Sequence, residues 1–290
     1  MKRVDTMNDI TAIILTKNEE VNIERCITSI QGLADRIVVV DSGSTDRTIE
    51  IAEGLGAEIY SHPFEHYAAQ FNWALDHVNV TTTWVYRIDA DECVTPELAE
   101  EIRDACAVHR DDDVNGFLMK HKQFFLGRFL MHGGAYPFLK ITVFKPAFGR
   151  FENRAMGEHI VLSEGRTFIF ENDCLHYDCK DLTSFIEKHN SYATREVRDY
   201  YERREKLKEQ ASLYGAAEKT KKLRDGLYYR LPKFFRAWLY YVYRYYFRLG
   251  FLDGTPGRIY AKLQAYMYRY MVDAKIYERE ILLAEQRQKP

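Results

Sequence analysis

Two kinds of hydrophobic pattern alternate through the first hundred residues. Ile10 to Thr16 (ITAIILT) is an unbroken, β-branched apolar run, as a strand buried on both faces would carry. In the following NEEVNIERCITSI, Val21, Ile23, Ile27 and Ile30 recur near helical spacing, with Asn18 able to cap. RIVVVD, Arg36 to Asp41, predicts a second buried strand, and Asp46 can cap the helix RTIEIAEGLG, which Gly54 and Gly56 stop. AEIYS predicts a third strand, HYAAQFNWALDHV a helix, and TWVYRID a fourth strand. Thr95 as cap and Pro96 at the first position then open another helix. Such alternation predicts an α/β fold, a Rossmann-like and mostly parallel sheet flanked by helices. Ligands bind such sheets beyond the carboxyl ends of the strands, where Asp41, Asp89 and Asp91 are expected.

The pattern changes after the fourth strand. Gly116 to about Phe170 is irregular, with short strands such as LKITVF and glycine-bearing loops such as MHGGAYPF. The expected division is a catalytic domain over 1–181, a charged helical connector over 182–225, and a helical, amphipathic C-terminal extension over 226–290. Within the first, residues to about 110 would hold a nucleotide and 111–181 would face its reaction partner.

YRIDADECV (Tyr86 to Val94) places Asp89, Asp91 and Glu92 within four residues, and like carboxylates repel. Either the acids splay into water or a cation sits among them. In a strand, positions i and i+2 point to one side, so Asp89 and Asp91 would face one ligand. Hard divalent ions, Mg²⁺ or Mn²⁺, take carboxylates and share their shell with phosphate oxygens, making D-x-D a natural grip on a nucleotide diphosphate. A dinucleotide site would also place an acid at Asp41, but it requires G-x-G-x-x-G where this chain has TKNEE. A phosphatase nucleophile would follow the first strand rather than the fourth, with Thr or Val where Cys93 stands.

Composition adds compartment and partner. With 46% apolar and 29% charged residues, most of the chain should be globular. The net charge of −2 conceals an asymmetry: Gly226 to Pro290 holds 12 Lys/Arg against 5 Asp/Glu, and 12 of the 21 tyrosines. A basic, tyrosine-rich tail on an acidic body points to an anionic surface as partner. Five cysteines without a C-x-x-C pair fit a reducing compartment, and Cys174, His176 and Cys179 match no standard zinc spacing. The N-terminus lacks a signal-peptide core, and no run approaches the roughly 20 apolar residues that span a bilayer. A cytoplasmic protein is expected. In RLPKFFRAWLYYVYRYYFRLGFLDG, Pro232 suits a helix start. Drawn as one helix, Lys233, Arg236, Arg244 and Arg248 fall within an arc of about 120°, with Trp238 on the opposite, aromatic side. That describes an interfacial helix on an anionic membrane, or else an amphipathic helix packed on the catalytic domain. No nucleic-acid signature accompanies it.

AIILTKNEEVNIERCITSI, IVVVDSGSTDRTIEIA, YAAQFNWAL and RIDADE, in that order and spacing, resemble the inverting glycosyltransferases of family 2, with the GT-A fold. GGAYPF, GEHIVLSEG, LHYD and RLGFLDGTPG further down look like the branch of lipopolysaccharide-core β-1,4-glucosyltransferases and related bacterial polysaccharide enzymes. The resemblance implies that Thr16, Glu19, Asp41 and Asp89 line the nucleotide pocket, Asp41 on the uracil, and that Asp91 binds a Mg²⁺ or Mn²⁺ ion with Asp89 beside it. His176 is a further metal ligand by that reading, or a buried, hydrogen-bonded histidine. Glu158 is the expected base for the acceptor hydroxyl and Asp178 the alternative. The Arg that related chains carry before the Phe of LKITVF is replaced by Thr142, with Lys140 the nearest cation. The expected reaction moves a sugar, glucose first, from a UDP-sugar donor to a lipid-linked, lipopolysaccharide or polysaccharide glycan acceptor at the cytoplasmic face of the inner membrane. A catalytically silent membrane scaffold with the same fold and a hydrolase of the nucleotide-sugar diphosphate are the competing readings.

Overall fold

The computed structural model describes residues 8–152, 159–178, 180–209 and 228–288. It divides into two compact units: Met1–Leu130 with Ala135–Cys179, and Met131–Gly134 with Lys180–Pro290.

The first unit is built on a nine-stranded sheet. Strands β1 (Ile10–Thr16), β2 (Arg36–Asp41), β3 (Glu58–Ser61) and β4 (Trp84–Arg87) lie in the order β3-β2-β1-β4, all parallel. Beyond β4 come β8 (Phe138–Phe144), β6 (Val114–Phe125), β11 (Arg166–Tyr177) and the two-residue β5 (Glu92–Cys93), with β7 (Arg128–Phe129) hairpinned onto β6. β8 runs antiparallel to both neighbours, and β6 and β11 return to the direction of β1. A small second sheet pairs β9 (Gly149–Phe151) with β10 (Ile160–Leu162).

Each face of the parallel half has its own core, as the continuous apolar runs require. Ile10, Ala12 and Ile14 of β1 meet helix α1 (Ile23–Ile30) through Ile23, Cys26, Ile27 and Ile30. Ile13 points the other way, to Ala68, Phe71 and Ala74 of α3 (Tyr67–His77). Fully burying one such isoleucine contributes about 1.5–3 kcal/mol, so Ile27→Ala would loosen the α1 contact more than any surface change. Thr95 caps α4 (Pro96–Val108) as expected, accepting from the Leu98 N–H.

Two caps differ from expectation. Helix α1 starts at Ile23, so Asn18 is too early to cap it; Asn18 takes a left-handed φ of 54° and accepts from the Thr45 N–H instead. Asp46 acts one residue outside α2 (Thr48–Gly54), accepting from the Thr48 N–H and hydroxyl and from the Glu20 N–H. It thereby joins two loops at the carboxyl edge of the sheet.

The second unit is helical. α5 (Leu182–Glu209) packs on α8 (Tyr268–Gln288) through Ala193, Val197, Tyr268, Val272 and Ile276, so the charged connector and the tail share one core. The single amphipathic helix read into the tail is broken in three. After α6 (Phe235–Val242) the chain widens into a π-turn at Tyr243–Phe247, reverses at Leu249 with φ 59°, and tightens into a 3₁₀ turn at Gly250–Asp253 before α7 (Gly254–Tyr260). The uniform 100° step therefore fails. Arg236 does not join Arg244 and Arg248 on a wet face but is 2% exposed, bonded to Asp273. Lys233 is tied to Glu280, whereas Trp238 keeps 47% of its surface exposed. Among the described residues no helix is long and apolar enough to cross a membrane.

Candidate active site

Strand register brings the expected residues to one edge of the sheet. Thr16 and Asp41 are paired at the ends of β1 and β2, and the Thr16 hydroxyl donates to Asp41 Oδ1 at 3.0 Å. Asp41 is 1% exposed and also accepts from the Gly43 and Ser44 N–H groups, both at 2.8 Å, and from the Ser44 hydroxyl. Both its oxygens thus shape the DSGS turn, and a nucleobase would have to share or displace one of those bonds. Glu19 is half-buried nearby, its carboxylate accepting from Asn22 and its N–H donating to Thr48.

The acids after β4 stand differently from the strand picture. β4 stops at Arg87, so Asp89 and Asp91 lie in a turn into β5 and the alternation argument does not govern them. The Glu92 N–H donates to the Asp89 carbonyl and the Asp89 N–H to the Glu92 carboxylate, a reciprocal closure that makes the turn. Asp89 points back to the sheet. It takes both oxygens of its carboxylate to Arg87 at 2.8 and 2.7 Å, and accepts from the Tyr67 hydroxyl at 2.6 Å and from Lys140 at 3.3 Å. Asp91 meets His176, with Nε2 3.0 Å from Oδ2. That contact is fixed from below: β11 pairs with β5 so that His176 sits opposite Glu92, and the Tyr177 N–H donates to the Asp91 carbonyl.

The repulsion among the three acids is answered first by the protein's own cations. Glu92 is fully buried, with Lys140 Nζ at 3.0 Å and His121 Nε2 at 3.1 Å. Burial opposes its ionisation, but the charge of Lys140, then of His121, holds its carboxyl well below the usual range. Lys140 in turn stays charged: burial would discharge it, but the Glu92 carboxylate beside it raises its pKa. The sequence named Lys140 only as the nearest cation to Thr142 and Glu92 only as a member of the acid cluster, and it assigned Arg87, Tyr67 and His121 no role. One signal was there: Arg87 is a charge at the end of an otherwise apolar strand. Lys140 comes abreast of Asp89 through the fold alone, by the β8 register of Val85 with Phe144 and Tyr86 with Val143 continued three residues.

A divalent ion is the group implied here, and the donors suit it. Asp91 and His176 bring a carboxylate oxygen, the donor that Mg²⁺ and Mn²⁺ favour, within 3.0 Å of an imidazole nitrogen, a donor that transition-metal ions also take. Burial lowers the His176 pKa, but Asp91 outweighs it and leaves the imidazole more basic than usual, so proton and metal would compete for Nε2. Asp89 fits less directly, since its carboxylate is engaged with Arg87. Glu92, His121 and Cys174 also cluster tightly. There, however, Lys140 already supplies the positive charge, and burial raises the Cys174 thiol well above its usual pKa. Asp178 follows β11 directly and is half-buried, two residues from His176. Glu158 lies outside the described residues, and so does Cys179.

A mostly parallel sheet with helices on both faces, followed by a mixed extension and an acidic turn at the end of β4, defines a GT-A glycosyltransferase. The chain belongs to Glycosyl transferase family 2, whose sequence model matches residues 11–171. It is 30% identical over 216 residues to an uncharacterized glycosyltransferase of Rickettsia felis, covering 69% of this chain and 73% of that one. It is 26% identical over 282 residues to the lipopolysaccharide core biosynthesis glycosyltransferase LpsC of Rhizobium meliloti, covering 95% and 94%. Among solved structures, glucosyl-3-phosphoglycerate synthase from Mycobacterium tuberculosis, in complex with Mn²⁺, UDP and glucosyl-3-phosphoglycerate, aligns with a TM-score of 0.32 at 24% identity. That alignment covers 40% of this chain and spans only 44% of the length of the solved one.

Proposed function

We propose that the protein is a metal-dependent, inverting hexosyltransferase that moves a sugar from a UDP-sugar to a glycan acceptor of the lipopolysaccharide or polysaccharide type. The observation that carries this is the meeting of Asp91 and His176 at the carboxyl edge of a family 2 sheet. Near full-length similarity to a chain named for lipopolysaccharide core synthesis supports the acceptor class. Asp91 and His176 would hold Mg²⁺ or Mn²⁺, which supplies positive charge to the departing diphosphate. Arg87 and Lys140 keep Asp89 and the turn in place. Thr16, Glu19 and Asp41 stand at the nucleotide end. Inversion needs one carboxylate to take the acceptor hydroxyl's proton, and Glu158 and Asp178 are the two candidates. The basic, aromatic second unit fits work on a lipid-linked acceptor at the cytoplasmic face of a membrane.

The test is thermal shift with UDP and UDP-glucose, with and without Mn²⁺, on the full chain and on D91N and H176A. Metal-dependent stabilisation by UDP that both variants lose is the expected result; equal binding without metal would overturn the reading. Consumption of UDP-glucose at the same rate with no acceptor present would favour the hydrolase.

A further inference from the structure

The second unit presents an apolar tip that its own fold does not use. From the end of the π-turn to α7, Tyr246 is 56%, Phe247 75%, Leu249 46%, Phe251 43% and Leu252 47% exposed. Exposed aliphatic and aromatic side chains packed this densely along one short segment are not the scattered singletons of an ordinary surface. Leu249 sharpens the point. It sits at φ 59°, a conformation that favours Gly or Asn, yet it carries a branched apolar side chain that projects outward.

The tip is also built to hold its shape. Gly250 packs where a Cβ would come within 2.9 Å of the Arg244 carbonyl. The Asp253 carboxylate, 2% exposed, accepts from the Met131 and His132 N–H groups at 3.0 and 2.9 Å and pairs with the His132 ring. The Gly133 N–H donates to the Arg248 carbonyl at 2.8 Å, and Arg244 Nε donates to the Gly133 carbonyl. Behind the apolar side chains the two guanidiniums converge: a Cβ on Gly134 would lie 3.8 Å from Arg244 Nε and 3.9 Å from Arg248 Cζ. Charge selects the occupant. From Gly226 to Leu252 the chain has no Asp/Glu, and of its five Lys/Arg, Lys233 and Arg236 are paired with Glu280 and Asp273 while Arg244 and Arg248 stand at the tip.

We propose that this tip is the lipid-contacting element of the protein: Phe247, Leu249, Phe251 and Leu252 enter the headgroup–acyl boundary of an anionic leaflet while Arg244 and Arg248 engage its phosphates. The arrangement of an apolar wedge with a basic collar is what interfacial binding requires. It deepens the membrane reading above and replaces the helical basic face by a rigid turn, with Arg236 excluded.

Flotation of the full chain tests it, using vesicles of phosphatidylcholine alone or with phosphatidylglycerol. The wild type should float with the anionic vesicles only. F247S/L252S should bind at least about tenfold more weakly, given the area that two such side chains bury in the interface. R248Q should bind about fivefold more weakly. A second reporter, F247W in a W238F background, should shift to shorter emission wavelengths on anionic vesicles. Unchanged circular dichroism and an unchanged Mn²⁺–UDP thermal shift would show that the variants fold. Unaltered binding of F247S/L252S, a water-exposed F247W on bound protein, or equal binding to neutral vesicles would overturn the proposal. So would a wild type that self-associates through the tip and never floats. If flotation behaves as expected but UDP does not bind, the transferase reading falls and the tip stands.

Discussion

Arg236 is the residue on which a reading of the tail as one helix and the observed packing make opposite forecasts. As part of a basic face it would bind lipid and matter little to stability. In the structure its guanidinium is 2% exposed, donates to Asp273 Oδ1 through Nε at 2.8 Å and again through a terminal nitrogen, and reaches the Tyr229 carbonyl. It also lies 4.6 Å from the Tyr229 ring centroid. Asp273, fully buried, additionally accepts from the Phe234 N–H, whose residue takes a left-handed φ of 66° at the start of α6. Removing either partner strands a buried charge, at a cost of about 3–5 kcal/mol.

The perturbation is therefore Asp273→Ala and Arg236→Met singly, then R236M/D273L together. With a urea m-value of about 1.5 kcal/mol/M for a unit of this size, each single change should lower the midpoint of the second unit by roughly 2–3 M. Circular dichroism follows the transition, and hydrogen exchange assigns it to residues of α5, α6 and α8. The double variant should recover most of the loss, because replacing a buried pair by apolar groups of similar volume is close to neutral. Folded R236M should bind anionic vesicles as the wild type does, whereas R248Q should not. A midpoint shift below about 0.5 M, or a specific loss of vesicle binding in R236M, would refute the assignment of Arg236 to the interior.

Lys140→Met should destabilise the first unit by about 3 kcal/mol at neutral pH, since the buried Glu92 then loses the cation at 3.0 Å that contributes most to holding it ionised. Glu92 has a folded pKa below its unfolded one, so its contribution is complete above about pH 4.3 and is lost as pH falls through the folded value. K140M should accordingly unfold at a higher pH than the wild type in an acid titration, and an unmoved acid midpoint would contradict the pairing. Burial raises the pKa of the Cys26, Cys106 and Cys174 thiols, while Cys93 is partly exposed. Mass-resolved alkylation of the native protein should mark Cys93 before Cys26, Cys106 and Cys174, which should react only on unfolding. Thr95→Ala should cost about 1 kcal/mol through the lost cap on α4, read from the denaturation midpoint of the first unit.

What the sequence made legible follows from what local pattern can encode. The strands β1, β2 and β4 lie inside the sheet with helices over both faces, and a short, continuous, β-branched apolar run suits little but that environment; the parallel half of the sheet was readable for that reason. Long-range register was not. That Lys140 stands beside Asp89, and His176 beside Asp91, depends on β8 and β11 joining the sheet out of chain order, and nothing in either strand states its neighbour. The acid cluster shows the consequence. Three carboxylates in four residues pose a charge problem whose apparent solution was a metal between Asp89 and Asp91. The folded chain divides them: Arg87 and Lys140 neutralise Asp89, Lys140 and His121 neutralise Glu92, and Asp91 meets the imidazole of His176. Two of the three acids thus build the turn and the third is presented by it. The tail failed for the complementary reason. A helical wheel assumes one pitch, and the π-turn at Tyr243–Phe247 changes it before Arg248 is reached, while the reversal at Leu249 ends the helix. The wider pitch follows a run of crowded aromatic side chains, Tyr240, Tyr241, Tyr243, Tyr245 and Tyr246, with Tyr241 and Tyr245 stacked at 5.5 Å. The break in periodicity accompanies the exposed apolar side chains of this segment, so the feature that defeated the sequence pattern is the one on which the proposed lipid contact rests.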